Sequence, residues 1–413
     1  MNNSSKYTIG ICAVTAWLAV LSFAQLPTRQ IPVVKPGINV LITEKMDLIR
    51  GKRLGLITNP TGVNSKLEST IDILAKNGKL VALFGPEHGV RGDVFAGETI
   101  DNFVDARTGV PVYSLYGKTH QPTPEMLKNV DALVYDIQDI GNRTYTYIYT
   151  MARSMSAAKD ANIPFIVLDR PNPLGGELVE GPVLDPAFKS GIGMFPIPYL
   201  YGLTAGELAR YFNTEFGINC NLTVVPMKGW NRKMNWSDTG LEWILTSPHI
   251  PHWETAYHCA ATGGIGEMPT VNIGVGYTLP FELVGEEWIN AEQLATELNS
   301  RHLPGVVFRP LHFRPYYLSR KDVPMQGVQI HIVNFRTFKP IETQIHILTA
   351  LRKLYPDQPL FDAKRVASFN KAFGTDSVQK MVMDNLSAEQ ILASWQKEVE
   401  AFKTTSQKYY LYQ

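Results

Sequence analysis

Glu87 and His88 stand in Gly85-Pro86-Glu87-His88-Gly89, directly after the apolar run Leu80-Val81-Ala82-Leu83-Phe84. Such a run, closed by Gly-Pro, reads as a buried strand that stops abruptly and presents both polar residues on the loop at its carboxyl end. A carboxyl held between glycines on such a loop is open to partial desolvation, which suits a general acid. The structural alternative is a glutamate that caps the next helix or pairs with Arg91. His88 is read as a residue that orients the acid or bonds within the loop.

Other polar clusters repeat this placement. Asn59 follows Thr58. Asp136 and Asp139 bracket Gln138, with Asn142, Arg143, Thr144 and Tyr145 next in the chain. Two carboxylates and an arginine at that spacing bind a sugar, orient the acid or pair with each other. In Asp169-Arg170-Pro171-Asn172, Arg170 meets either a ligand carboxylate or merely Asp169. His249, His252 and His258 are dense enough to suggest a metal, but Pro251 argues against a helix presenting a pair, and no Cys or carboxylate completes a ligand spacing. No metal is expected. Trp230 and the aromatics after it either stack on sugar faces or fill the core.

The elements that position these residues come from the hydrophobic pattern. Strands are expected near Arg53–Thr58, Lys79–Phe84, Val110–Leu115, Ala132–Asp136, Pro164–Asp169 and Leu222–Val225, with helices between them. Thr123-Pro124-Glu125 and the capping box Thr204-Ala205-Gly206-Glu207 mark helix starts, and helical periodicity also fits Tyr149–Ala161. The alternation implies an α/β fold with a mostly parallel sheet over residues 36–228. In such a sheet the polar strand ends lie on one edge, so distant residues converge on one crevice. Residues 229–285 are rich in Gly, Pro, aromatics and His, with little periodicity, and are read as the second wall of that cleft. Helices at Ala291–Ser300, Ile341–Tyr355 and Ala388–Phe402 and a half-buried strand at Gln329–Val333 complete a smaller C-terminal α+β domain, 229–413.

Composition narrows the function. With 39 Lys+Arg against 38 Asp+Glu in 413 residues, the chain has no electrostatic footprint for nucleic acid or an anionic membrane. Residues 1–24, with Lys6, the apolar stretch Ile9–Phe23 and Ser22-Phe23-Ala24, read as a secretory signal cleaved near Ala24; a membrane anchor is the alternative. A secreted or periplasmic product would retain Cys220 and Cys259, as one bridge or two buried thiols. No G-x-G-x-x-G follows a strand, Gly117-Lys118-Thr119 lacks the glycine that opens a phosphate loop, and no Gly-x-Ser-x-Gly elbow is present. Hydride transfer, phosphoryl transfer and serine hydrolysis therefore lose ground.

Taken in order, several strand-end motifs resemble the secreted exo-β-N-acetylmuramidases of the NamZ type. They are Thr58-Asn59-Pro60-Thr61-Gly62, Gly85-Pro86-Glu87-His88-Gly89, Ser114-Leu115-Tyr116-Gly117, Asp136-Ile137-Gln138-Asp139-Ile140-Gly141, Leu168-Asp169-Arg170-Pro171-Asn172-Pro173, Glu180-Gly181-Pro182 and Gly202-Leu203-Thr204-Ala205-Gly206-Glu207. The resemblance implies a Rossmann-like domain joined to a smaller C-terminal domain, with the site in the cleft between them. It also implies removal of terminal N-acetylmuramic acid from peptidoglycan fragments, without a nicotinamide or other cofactor, and Glu87 as the catalytic acid.

The chain departs from the family pattern in the second wall. Counted back from Pro280-Phe281-Glu282, Glu267 falls on a family glutamate, while Ile273 and Val275 replace a glutamate and an arginine. Two charges are thereby exchanged for aliphatics. If those charges meet substrate, the terminal sugar differs, or the cleft belongs to a carbohydrate-binding protein that no longer turns over. A second carboxyl would then come from Glu267, Asp136 or Asp139, or its place be taken by the substrate's acetamido group.

Overall fold

The structure, a computed structural model, describes residues 34–92, 102–318 and 320–413, so the signal-like segment lies outside the described residues. The strands are β1 (Arg53–Thr58), β2 (Lys79–Gly85), β3 (Phe103–Val104), β4 (Pro111–Ser114), β5 (Ala132–Asp136), β6 (Phe165–Leu168), β7 (Val179–Glu180), β8 (Leu200–Tyr201), β9 (Leu222–Val225), β10 (Leu283–Glu286), β11 (Val306–Phe313) and β12 (Met325–Ile332). Seven of them form one sheet in the order β3-β4-β2-β1-β5-β6-β9, parallel except for the edge strand β3. The short β3 was not legible in the pattern. All six expected strands are present.

This strand order follows from burial on both faces. Leu54 and Leu56 of β1 and Ala132 and Val134 of β5 enter one apolar cluster. Ile57, Leu133 and Tyr135, the intervening residues, enter the other. Period-two alternation between two apolar layers requires helices on both sides. The chain supplies α1 (Gly37–Glu44), α2 (Thr70–Asn77), α3 (Pro124–Leu127), α4 (Tyr147–Asp160) and α5 (Ala205–Glu215). Thr204 and Glu207 close the expected capping box at the start of α5. From β1 the sheet grows first toward β2 and β4, then on the other side toward β5, β6 and β9. The connection reverses between β1 and β5, the switch point at which open α/β sheets hold ligands.

The second part of the chain adds α6 (Glu254–Gly266), α7 (Ala291–Asn299), α8 (Pro340–Leu354), α9 (Val366–Phe373), α10 (Ser377–Met383), α11 (Ala388–Ala393) and α12 (Gln396–Ser406). With the antiparallel sheet β10-β12-β11 it makes the smaller α+β part. Helix α6 lies in the stretch read as aperiodic, because it is buried almost all round and has no polar face to set a period. The single helix expected over Ala388–Phe402 is two, α11 and α12, divided at Ser394 and the buried Trp395. One continuous core joins Ile148 and Met151 of α4 to Ile265 of α6 and Ile345 of α8. Cys220 and Cys259 are free and buried rather than bridged. Burial pushes their thiols up to about 11 and about 12, which keeps them protonated and inert.

Candidate active site

Register brings the strand-end residues together. Thr58 pairs with Asp136, Ile57 with Phe84, and Gly85 with Ser114, so the segments carrying Asn59, Glu87, Tyr116 and Gln138 leave the sheet along one edge. After β2 the chain turns at once: Gly89 N donates to Pro86 O at 3.0 Å. His88 and Gly89 both take left-handed backbone, at φ 73° and 74°. For a histidine that conformation costs roughly 1–2 kcal/mol, sustained here by the tight turn that presents Glu87.

Glu87 is half-buried. The Tyr116 hydroxyl hydrogen-bonds to it; burial first, then the Glu87 charge, pushes that phenol up. Tyr147, at the start of α4, is pushed up mainly by burial, and the charges of Glu87 and Asp139 both add to the effect. Its hydroxyl donates to Thr246 O at 2.7 Å, tying the β5 loop to the second wall. Tyr145 packs edge-on against Tyr147, with ring centres 4.9 Å apart. Asn59 Oδ1 accepts from Thr61 N at 3.0 Å, and Thr61 Oγ1 accepts from Gln138 N at 2.8 Å. Asn59 Nδ2, the Tyr145 hydroxyl and Thr246 Oγ1 are buried close to one another, Asn59 beside the Tyr147 hydroxyl and Thr246 beside that of Tyr145.

Other expected site residues have structural partners. Asp136 is fully buried: its carboxylate receives Arg170 Nε at 2.5 Å, Arg170 Nη2 at 2.9 Å and Thr70 Oγ1 at 2.5 Å. Arg170 also donates to Val63 O. Asp169 accepts from Thr204 Oγ1, Gly206 N and the Tyr412 hydroxyl, and burial raises it to about 6 against those bonds. Asn172 closes its own turn by accepting from Leu174 N and donating to Leu203 O. Arg143 is fully buried, and its Nη2 donates to Ala372 O and Phe373 O at the end of α9. Its guanidinium lies 5.6 Å from the Tyr199 ring centre. Trp230 sits in a small apolar cluster with Val34, Met227 and Tyr412, not on a sugar-facing surface. Gln138 and Arg170 instead line a narrow cleft of about 20 Å³ at the β1–β5 switch point, with Thr61, Ser65 and Trp236.

Two acidic candidates remain. Asp139 accepts from the Tyr201 hydroxyl and from Gly141 N, its Oδ1 is unpaired, and burial raises it to about 6. Glu267 caps the end of α6, raised by burial and lowered by Arg365. Its charge raises the buried Tyr199 phenol. The three histidines do not converge. His249 meets Tyr317, His252 is exposed, and His258 faces the carbonyls of Glu254 and Ile330. Among the described residues no group of three His, Cys, Asp or Glu could hold a metal.

The second-wall departures also find places. Ile273 is buried, and a Cβ added at Gly266 would meet its side chain at 2.3 Å; Val275 packs on the same core. These aliphatics fill the interior under α6. Sequence reasoning assigned no role to Tyr116, Tyr147, Thr246 or Tyr317. Tyr116 could have been found, since it lies two residues past the end of β4 on the same edge. Tyr317 comes from the β11–β12 connection, and nothing local announces it.

Comparison with known proteins gives a consistent result. Family models described as exo-β-N-acetylmuramidase NamZ, N-terminal and C-terminal, match residues 54–254 and 260–412. The peptidoglycan β-N-acetylmuramidase NamZ of Bacillus subtilis (strain 168) is 47% identical over 387 residues, 93% of each chain. A crystal structure of a DUF1343 family protein from Bacteroides fragilis NCTC 9343 superposes with a TM-score of 0.87 at 50% identity, covering 92% of this chain and 99% of that one. A second DUF1343 protein from the same organism gives 0.72 at 31% identity, with the same coverage.

Proposed function

This chain belongs to the exo-β-N-acetylmuramidase NamZ family, and from that premise we propose a glycosidase that removes terminal N-acetylmuramic acid from peptidoglycan fragments, with Glu87 as general acid. The observation that carries this reading is the placement of Glu87: a half-buried carboxyl on a tight turn at the crevice edge, hydrogen-bonded to the Tyr116 hydroxyl. A terminal sugar seated there would lie beside the part-exposed Tyr116 while Glu87 protonates the leaving oxygen. The glycosidic C–O bond breaks as that proton moves, and water completes the sugar at its anomeric carbon.

Asp136 is a poor second carboxyl, because both its oxygens are engaged and freeing it would strand Arg170 in the interior. Asp139 is the better candidate, since it follows β5 on the same edge and only one of its oxygens accepts from Tyr201 and Gly141 N. Attack by the substrate's acetamido oxygen, with Asp139 nearby, accommodates the single half-buried acid. We also propose that residues 1–24 direct the chain out of the cytoplasm, where peptidoglycan fragments are met.

The test uses two donors of N-acetylmuramic acid: a β-1,4-linked disaccharide with N-acetylglucosamine, and the β-fluoride, whose leaving group needs little proton assistance. Glu87→Gln should lose about 10²–10⁴-fold in kcat on the disaccharide and far less on the fluoride. Equal losses on both donors would remove Glu87 from the acid role. Asp139→Asn should slow both.

A further inference from the structure

The β11–β12 connection carries an exposed aromatic surface to the second wall. Tyr316 N and Tyr317 N both donate to Gly276 O, at 2.9 and 3.4 Å, and Asp322 N donates to Pro315 O at 2.8 Å. The Tyr316 ring lies 6.2 Å from Tyr277 and 5.3 Å from Tyr317, centre to centre. The Tyr317 hydroxyl bonds His249 Nε2 at 2.9 Å, and the two rings stack at 17°. His249 lies three residues after Thr246, whose carbonyl accepts from the Tyr147 hydroxyl at 2.7 Å on the edge that carries Glu87. Tyr316 and Leu318 are nonetheless 52% and 58% exposed. The aromatic pair is held in place through His249 of the second wall, and Tyr316 presents a ring face on its outer side.

We propose that Tyr316, with Leu318 beside it, is the stacking platform for the sugar on the leaving side of the scissile bond. This rests on the hydrolase reading above. An enzyme acting at a chain end holds the terminal sugar inward over its acid, and the next ring extends toward solvent. The apolar face of a pyranose suits a tyrosine ring on that outer side. Tyr317, tied to His249, fixes the angle of the platform and does not itself offer its hydroxyl.

The two donors separate this proposal from the reading beneath it, because the fluoride has no leaving-side ring. Tyr316→Ala should lower kcat/KM on the disaccharide about tenfold and leave the fluoride within about twofold. Tyr316→Phe should keep both activities, and Leu318→Ala should show a smaller loss of the same kind. Equal losses on both donors, or no loss on the disaccharide, would overturn the platform. Wild-type protein that cleaves neither donor overturns the hydrolase reading itself; an unchanged Kd of Tyr316→Ala for the disaccharide would then overturn the platform as well.

Discussion

At the scale of single residues, the same side-chain types on one sheet edge do opposite work according to their partners. Asp136 and Arg170 neutralise each other inside the protein, 0% and 4% exposed, whereas Glu87 stays half-buried beside the Tyr116 phenol. Removing one member of a buried pair leaves the other charge uncompensated, at about 3–5 kcal/mol. Arg170→Ala should therefore lose that much in denaturant unfolding, and the double variant Asp136→Asn/Arg170→Met should recover part of it. Similar losses for the single and double variants would mean that the pair is not what holds the β1 and β5 ends together. Arg143 shows how far type can mislead: its spacing from Asp139 suggested a ligand contact, yet its guanidinium terminates α9 from 229 residues away.

At the scale of elements, α6 carries most of what periodicity concealed. Its glycines lower intrinsic helix propensity, but the helix runs through the core, where close approach outweighs propensity. Gln344 Nε2 donates to Ala260 O at 3.0 Å, and its Oε1 accepts from Ile265 N at 3.1 Å, so one side chain of α8 enters the ladder of α6. A Cβ at Gly264 would lie 2.4 Å from that Oε1 and 2.6 Å from the Phe373 ring. In an exposed helix Gly→Ala gains about 1 kcal/mol. Here overpacking should reverse the sign, and Gly264→Ala should destabilise by about 1–3 kcal/mol in the same unfolding measurement.

For the whole molecule, the chain end acts as a strap. Tyr409 bonds Glu215, Leu411 N donates to Glu207, Arg232 lies 3.4 Å from the Tyr410 ring centre, and Tyr412 reaches Asp169 at the end of β6. Because burial raises Asp169 to about 6, the folded state holds its proton more tightly than the unfolded chain, whose carboxyl ionises near 3.9. That contribution to stability is fully present below about pH 3.9 and is lost as pH rises through about 6. Asp169→Asn should therefore lose less Tm than wild type between about pH 4 and 7. A parallel pair of Tm–pH curves would show that Asp169 does not titrate with folding.

The sequence by itself determined the sheet, its parallel sense and the edge on which the polar motifs gather, because these follow from alternation and turn residues within a few positions of each other. It also offered Glu87 as one candidate acid among several carboxylates, and the ordered strand-end motifs, by their family resemblance, favoured it; its Gly-Pro and Gly neighbours make the turn that displays it. Only the tertiary structure decided which of the polar strand-end residues stay open. Asp136, Asp169, Asn172 and Arg143 are closed off by Arg170, Tyr412, Leu203 and Phe373, and Trp230 by the apolar contact of Tyr412. Most of those partners come from distant segments. A local pattern can place a charge at a strand end, but packing between segments hundreds of residues apart decides whether that charge is neutralised there or left to meet a substrate.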